Sequence, residues 1–207
     1  MARRILVYGD TNVWGGTEYD EHGRLGRNER WTGRLEGLLA GEFEVVEAGY
    51  PGRCAGSFEK AREIDSDYDG REHYEIFFKS ASPIDLVVIA LGTNDLRKKY
   101  ERPVGAIVDD LLWFGGWTRH LEDYNGGKMP RILYVLPHKA VNQPGWYEAE
   151  EGKRGELCAT LKERTTDHVD LGTVGLTGDG VNFSETGHED VARRVAEQIK
   201  EIFKKGR

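Results

Sequence analysis

The sequence is poor in several features that would each point to a particular class of protein. It has only two cysteines in 207 residues, Cys54 and Cys158, so a disulfide framework is not expected. It has no run of about 18 apolar residues, the length that a membrane-spanning helix requires. Lys and Arg number 29 against 36 Asp and Glu, and no basic patch stands out. Neither a membrane nor a nucleic acid is therefore expected as a partner.

Motifs for bound nucleotides and metals are also missing. The sequence contains no Gly-x-Gly-x-x-Gly segment and no Walker-type loop, and no His/Cys cluster has metal-ligand spacing. We therefore expect no cofactor and no metal. The basic start, Met1–Arg4, is followed by an apolar run of only about four residues, too short for a signal peptide. These features predict a cytoplasmic protein.

What is present is the composition of an ordinary globular protein. The chain is 38% hydrophobic and 31% charged, with 27 glycines. A chain of this length buries about 70% of its unfolded surface and needs no covalent staples to fold. We expect residues 1–207 to form a single domain.

Short apolar runs alternate with helical patterns along the chain. Five runs of strand length are rich in β-branched residues: Ile5–Tyr8, Phe43–Val46, Ile84–Leu91, Ile132–Leu136 and a weaker one at His168–Leu171. Helical spacing is found over Arg30–Ala40, Pro103–Tyr124, more weakly over Tyr147–Arg164, and over Ser184–Lys204, where Ser184 is the expected N-cap. This alternation predicts an α/β fold, with a parallel sheet covered by helices on both faces.

Two segments without a clear pattern, 14–27 and 52–74, are predicted to be long loops, the second partly helical. Long loops within a compact α/β domain are often functional, because sites form at the carboxyl ends of parallel strands.

Two polar motifs directly follow predicted strands. Tyr8–Asn12 (YGDTN) puts a hydroxyl residue, Thr11, at a strand-to-helix junction, where it is either a reactive group or an N-cap. Leu91–Asp95 (LGTND) follows the third strand. The Asn94 amide there can donate to a developing oxyanion, or it can close an Asx turn.

Two further motifs have the same kind of position. Gly49 and the segment Tyr50–Arg53 (YPGR) follow the second strand, and their backbone N–H groups can face an anion or form a simple turn. Gly178–Ser184 (GDGVNFS) precedes the last helix, where Asp179 can orient a base or belong to a turn. All four motifs therefore fall on one edge of the predicted sheet.

The order of these motifs resembles that of the SGNH (GDSL-type) hydrolase family. Its blocks are a Gly-Asp-Ser start, a block-two Gly, a Gly-x-Asn-Asp segment and a late Asp-x-x-His. The segments Arg30–Gly33 (RWTG) and Phe43–Gly49 (FEVVEAG) resemble the bacterial arylesterase/acyltransferase branch. The resemblance covers most of the chain. It implies a three-layer α/β/α flavodoxin-like fold with a five-stranded parallel sheet in the order 2-1-3-4-5.

The resemblance also implies a carboxylic ester hydrolase or acyltransferase with a Ser-His-Asp triad and an acyl-enzyme. The triad maps onto Thr11 as nucleophile, Asn182 at the base position and Asp179 as the orienting acid. The implied oxyanion donors are the Thr11 N–H, the N–H of Gly52 (or Gly49) and the Asn94 side chain. The expected partners are a small acyl ester and water or an alcohol, and members of this branch assemble, which implies a homo-oligomer.

Two positions depart from the family pattern. Thr11 stands in place of Ser, which keeps the hydroxyl and adds a methyl group. Asn182 stands in place of His, and an amide does not accept a proton near pH 7. Loss of one triad member costs roughly 10⁴–10⁶ in turnover in a serine protease, so the triad is predicted to be impaired.

Three explanations of these departures remain open. The chain is a natural pseudoenzyme that binds an acyl ligand, or an engineered and weakened esterase whose two substitutions preserve shape. In the third, another base substitutes, with His188 the nearest candidate and His138 the next. We also expect the substrate pocket to include Asp10, Trp14, Gly49, His138 and Trp146. The alternatives to a small-ester hydrolase are a non-catalytic binding protein and an esterase of acetylated carbohydrate.

Overall fold

The computed structural model describes residues 2–56 and 58–205, except the side chains at 21, 61, 62 and 66. Positions 1, 57, 206 and 207 of the predicted domain lie outside the described residues. The strands are β1 (Arg3–Gly9), β2 (Gly16–Thr17), β3 (Asp20–Arg24), β4 (Phe43–Gly49), β5 (Leu86–Ala90), β6 (Arg131–Leu136) and β7 (His168–Asp170). The helices are α1 (Thr11–Trp14), α2 (Trp31–Leu38), α3 (Glu59–Arg62), α4 (Tyr74–Ala81), α5 (Val104–His120), α6 (Lys153–Arg164) and α7 (Glu185–Lys204).

Five of the strands form a parallel sheet in the order β4-β1-β5-β6-β7. In the order of the five predicted strands this is 2-1-3-4-5, so the predicted flavodoxin-like α/β arrangement is confirmed. Because all pairs are parallel, the carboxyl ends of these strands lie at one edge.

The sheet separates two apolar cores, and side chains of β1 alternate between them. Leu6 and Tyr8 pack with α4, α5 and α6 on one face, whereas Ile5 and Val7 pack with α2 and α7 on the other. A strand covered on both faces has to be apolar throughout, which explains the continuous runs in the sequence.

The last helix forms as its pattern predicts. Ser184 is the N-cap of α7, and its Oγ accepts a hydrogen bond from the Gly187 N–H at 3.2 Å. The predicted apolar stripe is buried at Val191, Val195 and Ile199. Burial of such a stripe supplies most of the stability of a surface helix.

Three elements differ from the sequence prediction. Helix α6 begins at Lys153 rather than Tyr147, because the backbone of Tyr147 pairs with Gln143 in an isolated bridge and Gly152, directly before the helix, has a φ of +86°. Segment 14–27 contains the antiparallel hairpin β2-β3, whose strand DEHGR lacks apolar alternation. Helix α4, at the end of the second predicted loop, was not predicted either. Within the part of the chain that the structure describes, no helix is long and apolar enough to cross a membrane.

Candidate active site

A cavity of about 680 Å³ lies at the carboxyl edge of the sheet. Seven of the residues singled out in the sequence line it: Asp10, Thr11, Trp14, Gly52, Asn94, Trp146 and Asn182. Gly49, His138 and Asp179 do not belong to its lining. The topology therefore brings motifs separated by up to 170 residues of chain to one cavity.

Thr11 is the first residue of α1, and Asp10 is the N-cap of that helix. The Gly52 N–H donates to Thr11 Oγ1 at 3.0 Å, so a backbone donor is held at this hydroxyl. The additional methyl group faces the hairpin: a Cβ at Gly16 would lie 2.5 Å from Thr11 Cγ2. A glycine at position 16 thus makes room for threonine rather than serine at position 11.

The two candidate oxyanion glycines have different surroundings. Gly52 has a φ of +76°, and a Cβ there would lie 2.4 Å from the Tyr68 ring, so only glycine fits. A Cβ at Gly49 would lie 2.2 Å from the Trp14 backbone nitrogen, where α1 packs against β4. Gly49 thus permits close packing behind the cavity, whereas Gly52 faces it.

Asn94 is held at the cavity by the loop that follows β4. Its Nδ2 donates to the Arg53 carbonyl at 3.1 Å, and it is 3% exposed. The neighbouring Asp95 carboxylate accepts from the Ala55 N–H at 2.9 Å. These contacts fix the Gly52 N–H and the Asn94 amide relative to one another, as preorganised donors require.

Buried charges that the sequence analysis missed support these loops. Asp95 pairs with Arg102, which also pairs with Asp110. Arg53 is 1% exposed and donates to the carbonyls that end β1 and β4, at 3.0 Å to Gly9 and 2.6 Å to Ala48. Arg53 and Asp95 both lie within the quoted motifs, but nothing in the sequence identifies their partners.

Asp179 is fully buried behind Asn182 and accepts four hydrogen bonds. The backbone N–H groups of Val181 and Asn182 each donate at 2.9 Å, and Thr177 Oγ1 donates at 2.8 Å. Asn182 Nδ2 donates at 2.7 Å. The amide nitrogen of Asn182 thus occupies the place that a histidine Nδ1–H would take toward an orienting carboxylate.

Asn12 ties the start of α1 to the turn before α7. Its Nδ2 donates to the Val181 carbonyl at 3.2 Å, and its Oδ1 accepts from the Phe183 N–H at 2.8 Å. This buried residue sets the spacing between Thr11 and Asn182. Asn12 belongs to the YGDTN motif, but nothing local in the sequence marks its role, because both its partners are distant in sequence.

The Asp10 carboxyl has an unusual titration. It is 4% exposed, and burial, with the nearby Asp95 carboxylate, raises its pKa to about 7. A hydrogen bond from the Asn12 N–H at 3.0 Å and the charge of Arg53 oppose this rise. Asp10 is therefore a carboxyl group that changes charge near neutral pH.

The two histidines considered as substitute bases lie in the interior. His138 borders a second cavity of about 20 Å³, and burial lowers its pKa to about 4. His188 lies in the first turn of α7, where its Nδ1 accepts from the Trp31 N–H at 3.2 Å. Burial lowers its pKa to about 4 as well. His188 lines neither cavity.

Among the described residues, no group of three or more His, Cys, Asp or Glu side chains is arranged to hold a metal ion. The polar groups at the cavity include hydroxyl, amide, carboxylate and backbone N–H groups, together with the side chains of His22, Arg97 and Lys99. This set suits acyl transfer through a hydroxyl nucleophile with preorganised oxyanion donors.

No protein-family model matches the chain, and no curated protein matches it either. Solved structures do. The inhibitor-bound aryl esterase of M. smegmatis is 27% identical with a TM-score of 0.85, over 97% of this chain and 99% of that one. Its native form is 28% identical with a TM-score of 0.82, over the same shares. A carbohydrate acetylesterase from Sinorhizobium meliloti is 23% identical with a TM-score of 0.81, over 97% and 99%.

These similarities span nearly the whole of both chains. The chain has the three-layer α/β fold of the SGNH-type hydrolases and resembles the aryl esterases among them, as its motifs predict.

Proposed function

We propose that this protein is an SGNH-type carboxylic ester hydrolase that acts on small acyl esters, with water or an alcohol as acceptor. The observation that carries the proposal is the single cavity shared by Thr11, Gly52, Asn94 and Asn182. The near-full-length similarity to aryl esterases at 27–28% identity supports the same reaction class.

In the proposed reaction, Thr11 Oγ attacks the acyl carbon and forms an acyl-threonine, which water or an alcohol then cleaves. The Thr11 and Gly52 N–H groups and the Asn94 amide stabilise the negative oxygen of the tetrahedral intermediate. The hydrogen bond from Gly52 N–H to Thr11 Oγ1 supports this role, because it holds a donor beside the attacking atom.

The weak point of the proposed site is position 182. Asn182 is held by Asp179 in the manner of a catalytic histidine, yet its amide cannot take a proton. We infer that turnover is slow for an enzyme of this type. The remaining oxyanion donors alone support about 10³–10⁴-fold catalysis over water in a serine protease that has lost its triad.

The hydrogen bond from Asn182 to Asp179 also supports a second candidate, a protein that binds an acyl ligand without turnover. Asn182 and Thr11 preserve the shape and polarity of a triad while removing its base.

A third candidate is an esterase of acetylated carbohydrate. Polar and charged side chains border the cavity at Asp20, His22, Asp65 and Arg97, which favours a hydrophilic substrate. A carbohydrate acetylesterase also shares the fold.

The test is hydrolysis of phenyl acetate by this chain and by its Thr11→Ser/Asn182→His variant. We expect the variant to gain at least 10²–10⁴-fold in kcat/KM, the usual contribution of a positioned base. A matched control, Thr160→Ser/Asn142→His, makes the same changes away from the cavity and should gain nothing.

Inactivity of both the chain and the variant, with saturable binding of phenyl acetate, would favour the non-catalytic protein. Faster cleavage of an acetylated monosaccharide than of phenyl acetate would favour the carbohydrate esterase.

A further inference from the structure

A second cavity, of about 20 Å³, lies behind the main one and shares part of its wall. Asp10, Asn12 and Thr93 line both cavities, whereas His138 lines only the small one. One water molecule requires about 10–15 Å³ of such volume and several polar partners. Its wall is mostly apolar, but Asp10, Asn12, Thr93 and His138 supply the polar partners that one water needs.

His138 supplies an atom that needs a partner in this cavity. The residue is 2% exposed, and its Nε2 has no hydrogen-bond partner among the described residues. The ring makes a hydrogen bond to the backbone of Val181, which leaves Nε2 as the remaining polar atom. A buried nitrogen without a partner costs free energy, which a bound water would recover.

The Asp10 carboxylate also has room for a further hydrogen-bond donor. Its carboxylate accepts from the Asn12 N–H at 3.0 Å and from its own backbone N–H, and no side chain donates to it among the described hydrogen bonds. The charged and titratable groups around Asp10 are Arg53 from the loop after β4, Asp95 from the loop after β5, the buried Tyr147 and Cys54, and His138 across the small cavity. Arg53 is itself engaged by two backbone carbonyls and the face of the Tyr8 ring.

We propose that one water in the small cavity links the Asp10 carboxyl to His138 Nε2, and that Asp10 is the proton acceptor of the site in place of Asn182. This inference rests on the proposed esterase function. It assigns the base of the same reaction to a carboxyl group that borders the main cavity beside the nucleophile.

Every proton transferred in the proposed reaction has a donor and an acceptor. Thr11 Oγ1 bonds to the acyl carbon while its proton passes to the Asp10 carboxylate through a second water, in the main cavity that both residues line, since the two side chains make no direct hydrogen bond in the structure. Protonated Asp10 returns that proton to the departing alkoxide, which leaves as the alcohol. In deacylation, water adds to the acyl carbon, its proton passes to Asp10, and Asp10 reprotonates Thr11 Oγ as the acid leaves.

This assignment makes the pH profile diagnostic. A base has to be deprotonated to act, so kcat/KM should rise as pH increases through the pKa of Asp10, which burial raises to about 7. His138 remains neutral over this range because burial lowers its pKa to about 4. The rise therefore does not belong to His138. His22 also lines the main cavity, and the Asp10→Asn variant separates its contribution from that of Asp10.

The experiment is the pH dependence of phenyl acetate hydrolysis from pH 5 to 9 for the chain and four variants. Asp10→Asn keeps an N-cap residue and removes the base, so we expect kcat/KM at pH 8 to fall about 10²-fold or more and the rise near pH 7 to vanish. His138→Phe should move the midpoint of the rise upward, because the carboxylate loses its water-mediated partner. His138→Gln, which retains an acceptor, should restore the midpoint.

His188→Phe is the matched control. His188 is a buried histidine whose Nε2 also lacks a partner in the described residues, and it packs on the same Phe183 ring as His138. It borders neither cavity, so its replacement should leave the midpoint unchanged.

An Asp10→Asn variant with the activity and pH profile of the parent would overturn the inference and leave the proposed function standing. Equal shifts of the pH midpoint in His138→Phe and His188→Phe would also overturn the inference and leave the proposed function standing. A parent chain that is inactive at every pH, with an active Thr11→Ser/Asn182→His variant, would likewise overturn the inference alone. If that variant is inactive as well, the proposed function fails and the inference with it.

Discussion

Two buried carboxylates lie at the candidate site, Asp10 in the wall of the cavity and Asp179 behind Asn182, and their surroundings differ. Asp179, before α7, accepts four hydrogen bonds at 2.7–2.9 Å. Asp10, before α1, accepts from the Asn12 N–H at 3.0 Å and from its own backbone N–H, and it faces the carboxylate of Asp95. Both are almost inaccessible to solvent.

The difference shows how environment divides roles between identical side chains. Four donors hold Asp179 in one orientation, which suits a group that positions its neighbour. With only local backbone donors and a pKa raised to about 7 by burial, Asp10 suits a group that exchanges a proton. Four predictions test this division.

The largest expected effect is that the role of Asp179 depends on the residue at position 182. In the Asn182→His variant, Asp179→Asn should lower kcat by about 10⁴, as in a serine protease that loses its orienting acid. In the parent chain the same change should cost far less, because no imidazole needs orienting. Steady-state kinetics with phenyl acetate measure both ratios, and equal ratios in the two backgrounds would contradict the assignment.

The second prediction concerns stability and pH. Between pH 4 and 7 the folded chain retains a proton on Asp10 that the unfolded chain has released, so this residue makes stability fall as pH rises. Asp10→Asn removes that slope. Relative to the parent, the variant should therefore gain up to about 4 kcal/mol over this range.

Urea unfolding at a series of pH values measures this difference. The lowered pKa values of His138 and His188 make stability rise between pH 4 and 6.5, but they are common to both proteins and cancel in the comparison. Parallel stability curves for parent and variant would show that the Asp10 pKa is not raised.

The third prediction addresses the connection between the two regions. Asn12→Ala should lower the free energy of unfolding by about 3 kcal/mol, because the Val181 carbonyl and the Phe183 N–H lose their buried partner. Ester hydrolysis should fall about tenfold as well, because the spacing of Thr11 and Asn182 loosens.

Two other asparagines are matched controls. Asn125 makes comparable buried bonds to the backbone of Ile84 far from the cavity, so Asn125→Ala should cost similar stability without a specific loss of activity. Asn142 bonds the backbone of Ala149 in solvent, and Asn142→Ala should cost less than about 1 kcal/mol. Equal activity losses for Asn12→Ala and Asn125→Ala would argue against a positioning role.

The smallest expected effect concerns the methyl group of Thr11. Gly16→Ala should cost about 1–2 kcal/mol of stability, because the new Cβ meets Thr11 Cγ2 at 2.5 Å. In a Thr11→Ser background the cost should fall below about 0.5 kcal/mol. Gly105→Ala, whose Cβ meets nothing within 4 Å, is the control. An unchanged cost in both backgrounds would show that the methyl group does not need Gly16.

Much of the fold was predictable from local patterns. Apolar runs of strand length, separated by helical spacing, located all five strands of the parallel sheet, and Ser184 marked the start of α7. The hairpin β2-β3 was missed because its second strand is polar and charged, and it contacts residues distant from that strand, such as the Trp14 carbonyl that accepts from Arg24 Nε at 2.9 Å.

The residues that line the candidate site were predictable from the sequence, whereas the arrangement of the loops around them was not. Thr11, Gly52, Asn94 and Asn182 follow strands or precede α7, and parallel pairing alone brings such positions to one edge. The place of His138 behind the wall of the cavity, and the pairing of Asp95 with Arg102, depend on how loops cross that edge.

The amino-acid sequence by itself determines the parallel sheet and the chemistry that position 182 lacks, because apolar periodicity and the basicity of an amide are local properties. The tertiary structure decides which carboxylate is held by four donors and which one changes charge near pH 7. Burial and hydrogen-bond partners set a pKa, and for these two residues both are supplied by folding.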